Sequence, residues 1–144
     1  MRLAIGCDHA ALPLKQVIYQ YLFDQGLNAQ DLGTYTEDSC DYPDIAQAVC
    51  EKVSTGEVER GILICGTGIG MSIAANKIKG IRAALCHDVY SARATRNHND
   101  SNVLCMGARV IGSGLALCIV DAWLDEAFKG GRHLTRINKL ENSD

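Results

Sequence analysis

Short apolar runs alternate with longer amphipathic ones along the whole chain. Leu3 to Cys7, Asn28 to Leu32, Gly61 to Cys65, Arg82 to Cys86 and Val103 to Met106 have strand length and read as strands. Between them lie helix patterns. Leu12 to Gln25 carries Leu14, Val17, Ile18, Tyr21 and Leu22 at helical spacing, with Gly26 as a stop. Pro43 opens a helix to Ser54 with Ile45, Val49 and Val53 on one face. Ile69 to Ile78 and Asp88 to Asn97 follow, and then Leu115 to Phe128, apolar enough to have two covered faces. The stretch KGGRH breaks the chain, and HLTRINKL reads as a short final helix. Strands alternating with helices predict an α/β fold: a five-stranded parallel sheet with helices on both faces, joined by right-handed connections. The 144 residues suit a single domain over 1–144, without linker or repeat.

Such sheets bind ligands beyond the carboxyl ends of their strands, near a switch point. The stretches to inspect are therefore Cys7-Asp8-His9, Gly33 to Tyr42, Cys65 to Gly70, Cys86 to Asp88 and Gly107 to Arg109. Composition narrows the ligand. A net charge of −3 gives no reason to expect nucleic acid, and no apolar run has the length of a membrane span. The opening MRLAIGCDHA has no long apolar h-region and reads as a first strand, so a cytoplasmic protein is expected. The seven cysteines include no C-x-x-C pair, which leaves zinc and thioredoxin-type chemistry without support. Most sit in apolar runs as small, reduced core residues.

Cys65 is different because GILICGTGIGMSIAANK sets it between a strand and a glycine turn into a helix. Gly66, Gly68 and Gly70 have the wrong spacing for the dinucleotide fingerprint, and Met71 stands where a Walker loop or a phosphatase loop needs glycine or arginine. A more general reading remains: glycines bring backbone N–H groups close to an anion, beside the positive end of a helix dipole, which also favours a thiolate. A buried strand-end cysteine beside a tight turn is the plain alternative. Asp8 and His9 stand at the binding edge, with helix capping as Asp8's alternative role. The stretch TRNHNDSN puts Arg96, His98, Asn99 and Asp100 between a helix and the last strand, where His98 can exchange protons or merely mark a helix stop. His87 is a weaker candidate, and His133 lies in the basic tail. Arg132 and Arg136 share a helix face and can grip a phosphate, or form a solvated basic face; Arg109 can add a third cation.

GCDHAA, DYPD, GILICGTGIGMSIAANKIKGIRAA, RNHNDSNVLCMGARVIG and GGRHLTR together resemble the type B ribose-5-phosphate isomerases, a family that includes the galactose-6-phosphate isomerase subunits. The likeness covers nearly the whole chain. Ala11 departs from it, standing where the family pattern has glycine. The resemblance implies a Rossmann-like three-layer sandwich, a homodimer or dimer of dimers, and interconversion of D-ribose 5-phosphate and D-ribulose 5-phosphate with no metal or other cofactor. It implies Cys65 as the base between C2 and C1, and Thr67 as the group moving a proton between O1 and O2. His98 opens the ring from the neighbouring subunit. Asp8 and His9 bind the sugar and its phosphate end, Gly66, Thr67, Gly68, Ile69 and Gly70 form the anion loop, and Asn99 is a sugar ligand. Tyr42 is expected to shape the pocket. Arg109, Arg132 and Arg136 come across the interface, and the final helix, about 132–141, contacts the partner. All the catalytic residues lie on one chain, which favours a homo-oligomer over the two unlike subunits of the galactose enzyme. A hexose 6-phosphate isomerase and a non-catalytic phosphosugar-binding domain are the competing readings.

Overall fold

The apolar runs lie side by side and all parallel, in a computed structural model that describes residues 1–142. The strands are β1 (Leu3–Cys7), β2 (Ala29–Asp31), β3 (Arg60–Cys65), β4 (Ala83–Leu85) and β5 (Val103–Gly107), in the sheet order β2-β1-β3-β5-β4. The helices are α1 (Leu12–Asp24), α2 (Tyr42–Ser54), α3 (Ile69–Ala75), α4 (Val89–Asn99), α5 (Ser113–Asp125) and α6 (Arg132–Glu141). Strand periodicity divides the apolar side chains between two layers. Leu3, Ile5, Ile62, Ile64, Leu104 and Met106 face α1 and α5, whereas Ala4, Leu63, Cys65, Val103 and Cys105 face α2 and α3. This is the expected sandwich of helices, sheet and helices.

Several helix ends differ from expectation, each for a local reason. Helix α5 stops at Asp125, not Phe128: Glu126 is extended, and the Arg60 guanidinium takes the carbonyls of Trp123 (2.9 Å) and Leu124 (3.0 Å). Helix α3 stops at Ala75, not Ile78, because the Asn76 amide bonds both the N–H and the C=O of Ala83, tying the helix end to β4. Helix α4 runs on to Asn99, so Arg96, His98 and Asn99 are helical and not in a loop. Asp100 ends it in the left-handed conformation, φ 46°, held by Arg96 (2.8 Å). Ala11 is fully buried at φ −121°, a conformation open to any L-residue, so the missing glycine leaves no strain.

Helix α6 packs on α4, and Ile137 is its buried residue, while Leu134 and Leu140 are exposed. No helix among the described residues is long and apolar enough to cross a membrane.

Candidate active site

The connections leave β1 toward β2 and then return past it to β3, so the switch point of the sheet lies between β1 and β3. Their carboxyl ends are tied together there, with the Asp8 N–H donating to the Ile64 carbonyl at 3.1 Å. The Asp8 side chain is buried and accepts from the Ala10 N–H at 3.0 Å, starting the short 3-10 turn His9–Ala11. Asp8 therefore caps a turn at the carboxyl edge of the sheet. His9 Nδ1 accepts from the Cys40 N–H at 3.2 Å, so in the neutral ring the proton sits on Nε2. That bond pins the end of the 33–42 loop over β1.

Cys65 is 5% exposed, and its Sγ accepts the Gly68 N–H at 3.1 Å. Gly68 makes this possible: its φ is +77°, and a methyl group on it would lie 2.5 Å from Leu85 Cδ1 and 2.8 Å from the Met106 carbonyl carbon. The turn thus aims a backbone donor at the sulfur, giving a sulfur anion a partner. Thr67 is exposed at the mouth of this turn, and its Oγ1 accepts from the Ile69 N–H at 3.3 Å. Ile69 is exposed beside it, and Gly70 lies under the Tyr42 ring, so close that a methyl there would meet Cζ at 2.6 Å. Arg109 Nη1 sits 3.3 Å from where a methyl on Gly66 would be. Arg109, which the resemblance brings from a partner, thus stands at this edge in its own chain.

Asp8, His9, Tyr42, Cys65, Gly66, Thr67, Gly68, Ile69, Gly70 and Arg109 are brought together. His98, Asn99, Arg132 and Arg136 are not. Helix α4 leaves the carboxyl edge and descends, so His98 and Asn99 lie exposed at the opposite edge, just before β5 begins. The Lys129 N–H donates to the Asn97 carbonyl, and the His98 and His133 rings stack at 4.4 Å, which fixes the start of α6 there too. The exposed Arg132 and Arg136 stand on α6. From Val103 to Gly107 the sheet itself separates the two groups by about 13 Å.

The cysteines sort as their burial dictates. All seven are free. Burial pushes the Cys7 and Cys86 thiols up to about 11 and Cys50 up to about 12, and it holds Cys105 well above the usual thiol range. These four are inert core thiols. Among the described residues no three His, Cys, Asp or Glu side chains cluster as a metal site.

Sequence reading missed Lys15. It is 1% exposed, and its Nζ donates to both Asp31 oxygens (2.6 and 2.8 Å) and to the Thr34 carbonyl (2.7 Å), with the Tyr35 ring 4.8 Å away. This buried ammonium anchors the start of the loop whose far end carries Cys40 and Tyr42. The available signal was a lysine sharing a helix face with Ile18 and Leu22.

Known proteins match this chain over nearly its whole length. A family model described as Ribose/Galactose Isomerase matches residues 3–140. Ribose-5-phosphate isomerase B of Escherichia coli is 50% identical over 139 residues, 96% of this chain and 93% of that protein. A D-erythrulose-4-phosphate isomerase of Pectobacterium atrosepticum is 47% identical, over 97% of this chain and 93% of its own length. The structure of Clostridium thermocellum ribose-5-phosphate isomerase B superposes with a TM-score of 0.97 at 52% identity, covering 98% of this chain and 95% of that one. A thiol on a glycine turn at the switch point, in a chain this similar throughout its length, makes the protein a member of the ribose/galactose isomerase family.

Proposed function

We propose that this chain is an aldose-ketose isomerase that interconverts D-ribose 5-phosphate and D-ribulose 5-phosphate. The observation that carries the reading is the Cys65 thiol at the mouth of the glycine turn, with the Gly68 N–H on its sulfur. A hydrogen next to a carbonyl is weakly acidic, so its removal needs a positioned base and stabilisation of the charge that develops. In the open-chain aldose, Cys65 Sγ takes the proton from C2. The C2–H electrons form a C1–C2 double bond, and the carbonyl electrons move to O1. Thr67 Oγ1 passes the O2 proton to O1. The thiol then returns its proton to C1 as the O2 carbonyl forms, which leaves the ketose and the starting thiolate. The backbone donors of the 66–70 turn face the enediolate end.

The groups for ring opening and for phosphate binding belong to the far edge of the same sheet. We infer that a second copy supplies them: its His98 and Asn99 meet the sugar, and its Arg132 and Arg136 join His9 at the phosphate. Ile69, Tyr90 and Val110, more than half exposed near the carboxyl edge, and Leu134 and Leu140 on α6 offer apolar surface for that contact. A two-fold interface uses each edge once and completes two identical sites. Seven unpaired cysteines, most of them buried, fit a reducing compartment, so we assign the activity to the cytoplasm.

The test is direct turnover of ribose 5-phosphate by the purified protein, beside D-erythrulose 4-phosphate, allose 6-phosphate and galactose 6-phosphate. Ribose 5-phosphate is expected to have the highest kcat/KM. Failure to turn it over would overturn the proposal, and a higher kcat/KM for the four-carbon sugar would reassign the substrate.

A further inference from the structure

His87 follows β4 and has no part in the reaction above. Its half-buried ring nonetheless makes one specific bond: the Gly107 N–H donates to His87 Nε2 at 3.1 Å. We propose that His87 is a positioning residue, whose imidazole fixes the end of β5 and through it the loop that carries Cys65 and Thr67. The proposal rests on reading that loop as the site of proton transfer.

The geometry runs residue by residue. Regular pairing of β4 with β5 ends at Leu85 and Cys105, followed by one more bond from the Cys86 N–H to the Cys105 carbonyl at 3.0 Å. In a parallel ladder alternate residues turn to the same neighbour, so the Gly107 N–H also faces β4. The backbone of β4 has left by then, and the imidazole takes the place of the next rung. Only a ring nitrogen with a free lone pair can accept an N–H, so the neutral ring carries its proton on Nδ1.

The residues braced by this bond hold up the thiol loop. The Ala108 N–H donates to the Cys65 carbonyl at 2.9 Å, and the Arg109 N–H to the Gly66 carbonyl at 3.0 Å. Gly107 itself lies against Thr67, where a methyl group would be 2.6 Å from the threonine carbonyl carbon and 2.7 Å from its oxygen. The Thr67 backbone thus rests on Gly107, while the two carbonyls before it, of Cys65 and Gly66, hang from the next two amides. Leu85, two residues before His87, fills the space beside Gly68. A loosened Gly107 would shift the base, the proton-moving hydroxyl and Arg109 together, without removing any of them. Small misplacements of reacting groups reduce rate more than affinity.

Three variants test this. His87→Leu and His87→Ala remove the acceptor, one keeping bulk and one not. His87→Gln sets a carbonyl oxygen near the position of Nε2. Both acceptor-less variants should lower kcat about tenfold while KM changes less than about threefold, and His87→Gln should keep most of the wild-type kcat. The second readout is amide hydrogen exchange at Gly107 and at residues 65–68. It should speed up about tenfold in the Leu and Ala variants and stay near wild type in the Gln variant. Should one acceptor-less variant not fold, the other carries the comparison. Wild-type kcat with unchanged exchange in a folded Leu or Ala variant would overturn the proposal, as would a Gln variant as impaired as these two. Exchange is read without substrate, so it decides the role of His87 even where the wild-type protein turns over none of the sugar phosphates.

Discussion

The two edges of the sheet hold their candidate residues by different means. At the carboxyl edge the backbone does the holding. The Gly68 N–H meets the thiol, the amides of Ala108 and Arg109 meet the carbonyls of Cys65 and Gly66, and Cys65, Gly66 and Gly68 are buried. At the opposite edge charged side chains do it. Asp100 is bonded by Arg96 and Arg82, Arg82 also pairs with Glu141, and His98 and Asn99 at the end of α4 and Arg132 and Arg136 in the first half of α6 are exposed. The difference suits the proposed chemistry. Proton transfer at carbon tolerates little displacement, which fits a proposed base on rigid, solvent-poor backbone. The proposed phosphate ligands are long, permanently charged arms whose geometry can adjust.

The largest test removes the reactive edge. Cys65→Ala should lower kcat by about a thousandfold on linear and cyclic sugar alike, with the circular dichroism spectrum unchanged. Turnover near the wild-type rate would strip that edge of its role.

Mixing variants tests whether the edges work as a pair across chains. Cys65→Ala and His98→Asn should each be inactive on the cyclic sugar. Re-equilibrated at equal concentration, half the dimers are mixed, and one of their two sites combines an intact thiol with an intact histidine. Activity should recover to about a quarter of wild type. No recovery, with mixed dimers demonstrated by mass spectrometry, would mean that each site belongs to one chain.

Removing one cation from the far edge should have a smaller and different effect. Arg132→Ala or Arg136→Ala is expected to lower kcat/KM roughly tenfold to a hundredfold, mostly through KM, for a lost charged hydrogen bond. The loss should shrink as ionic strength rises. A kcat defect at unchanged KM would move these arginines to the reactive end.

The smallest effect concerns His133. Desolvation, with the charges of His98, Arg132, Arg136 and Lys129 next to it, holds its imidazolium below the usual histidine range. The unfolded chain therefore binds this proton more readily than the folded one. Its contribution to stability is full above the ordinary histidine value of about 6.5 and is lost as pH falls from there through the lowered value of the folded state. Tm should fall from pH 7 to 5 slightly less steeply in His133→Asn than in wild type, and identical slopes would remove the effect.

Much of the reactive edge was legible in the sequence because it is local. The glycines beside Cys65, the strand before them and the failed spacing for nucleotide and phosphatase loops all lie within one short stretch. Buried cysteines in apolar runs were legible for the same reason. The helix ends were less so: α3 and α5 stop where Asn76 and Arg60 take backbone groups. The arginine reaches across from another element, and propensity does not register such a bond. Lys15 escaped because its partners, Asp31 and Thr34, lie 16 and 19 positions away, and His87 was only a weaker candidate because its bond to Gly107 spans 20 positions.

The sequence by itself determined the alternation of strands and helices, the thiol on its glycine turn and the basic final helix, because each is written in periodicity, spacing or charge over a few residues. Only the tertiary structure decided that Arg109 stands beside Gly66 of its own chain, that Cys40 holds His9, and that His98 and the tail arginines end at the far edge. The physical reason is the direction of the chain. A parallel sheet sends every strand one way and the helices between strands back. Residues that end strands and residues that end those helices, such as His98, therefore lie at opposite edges, and packing of α6 on α4 brings the arginines to the far one; spacing along the sequence carries no measure of that distance.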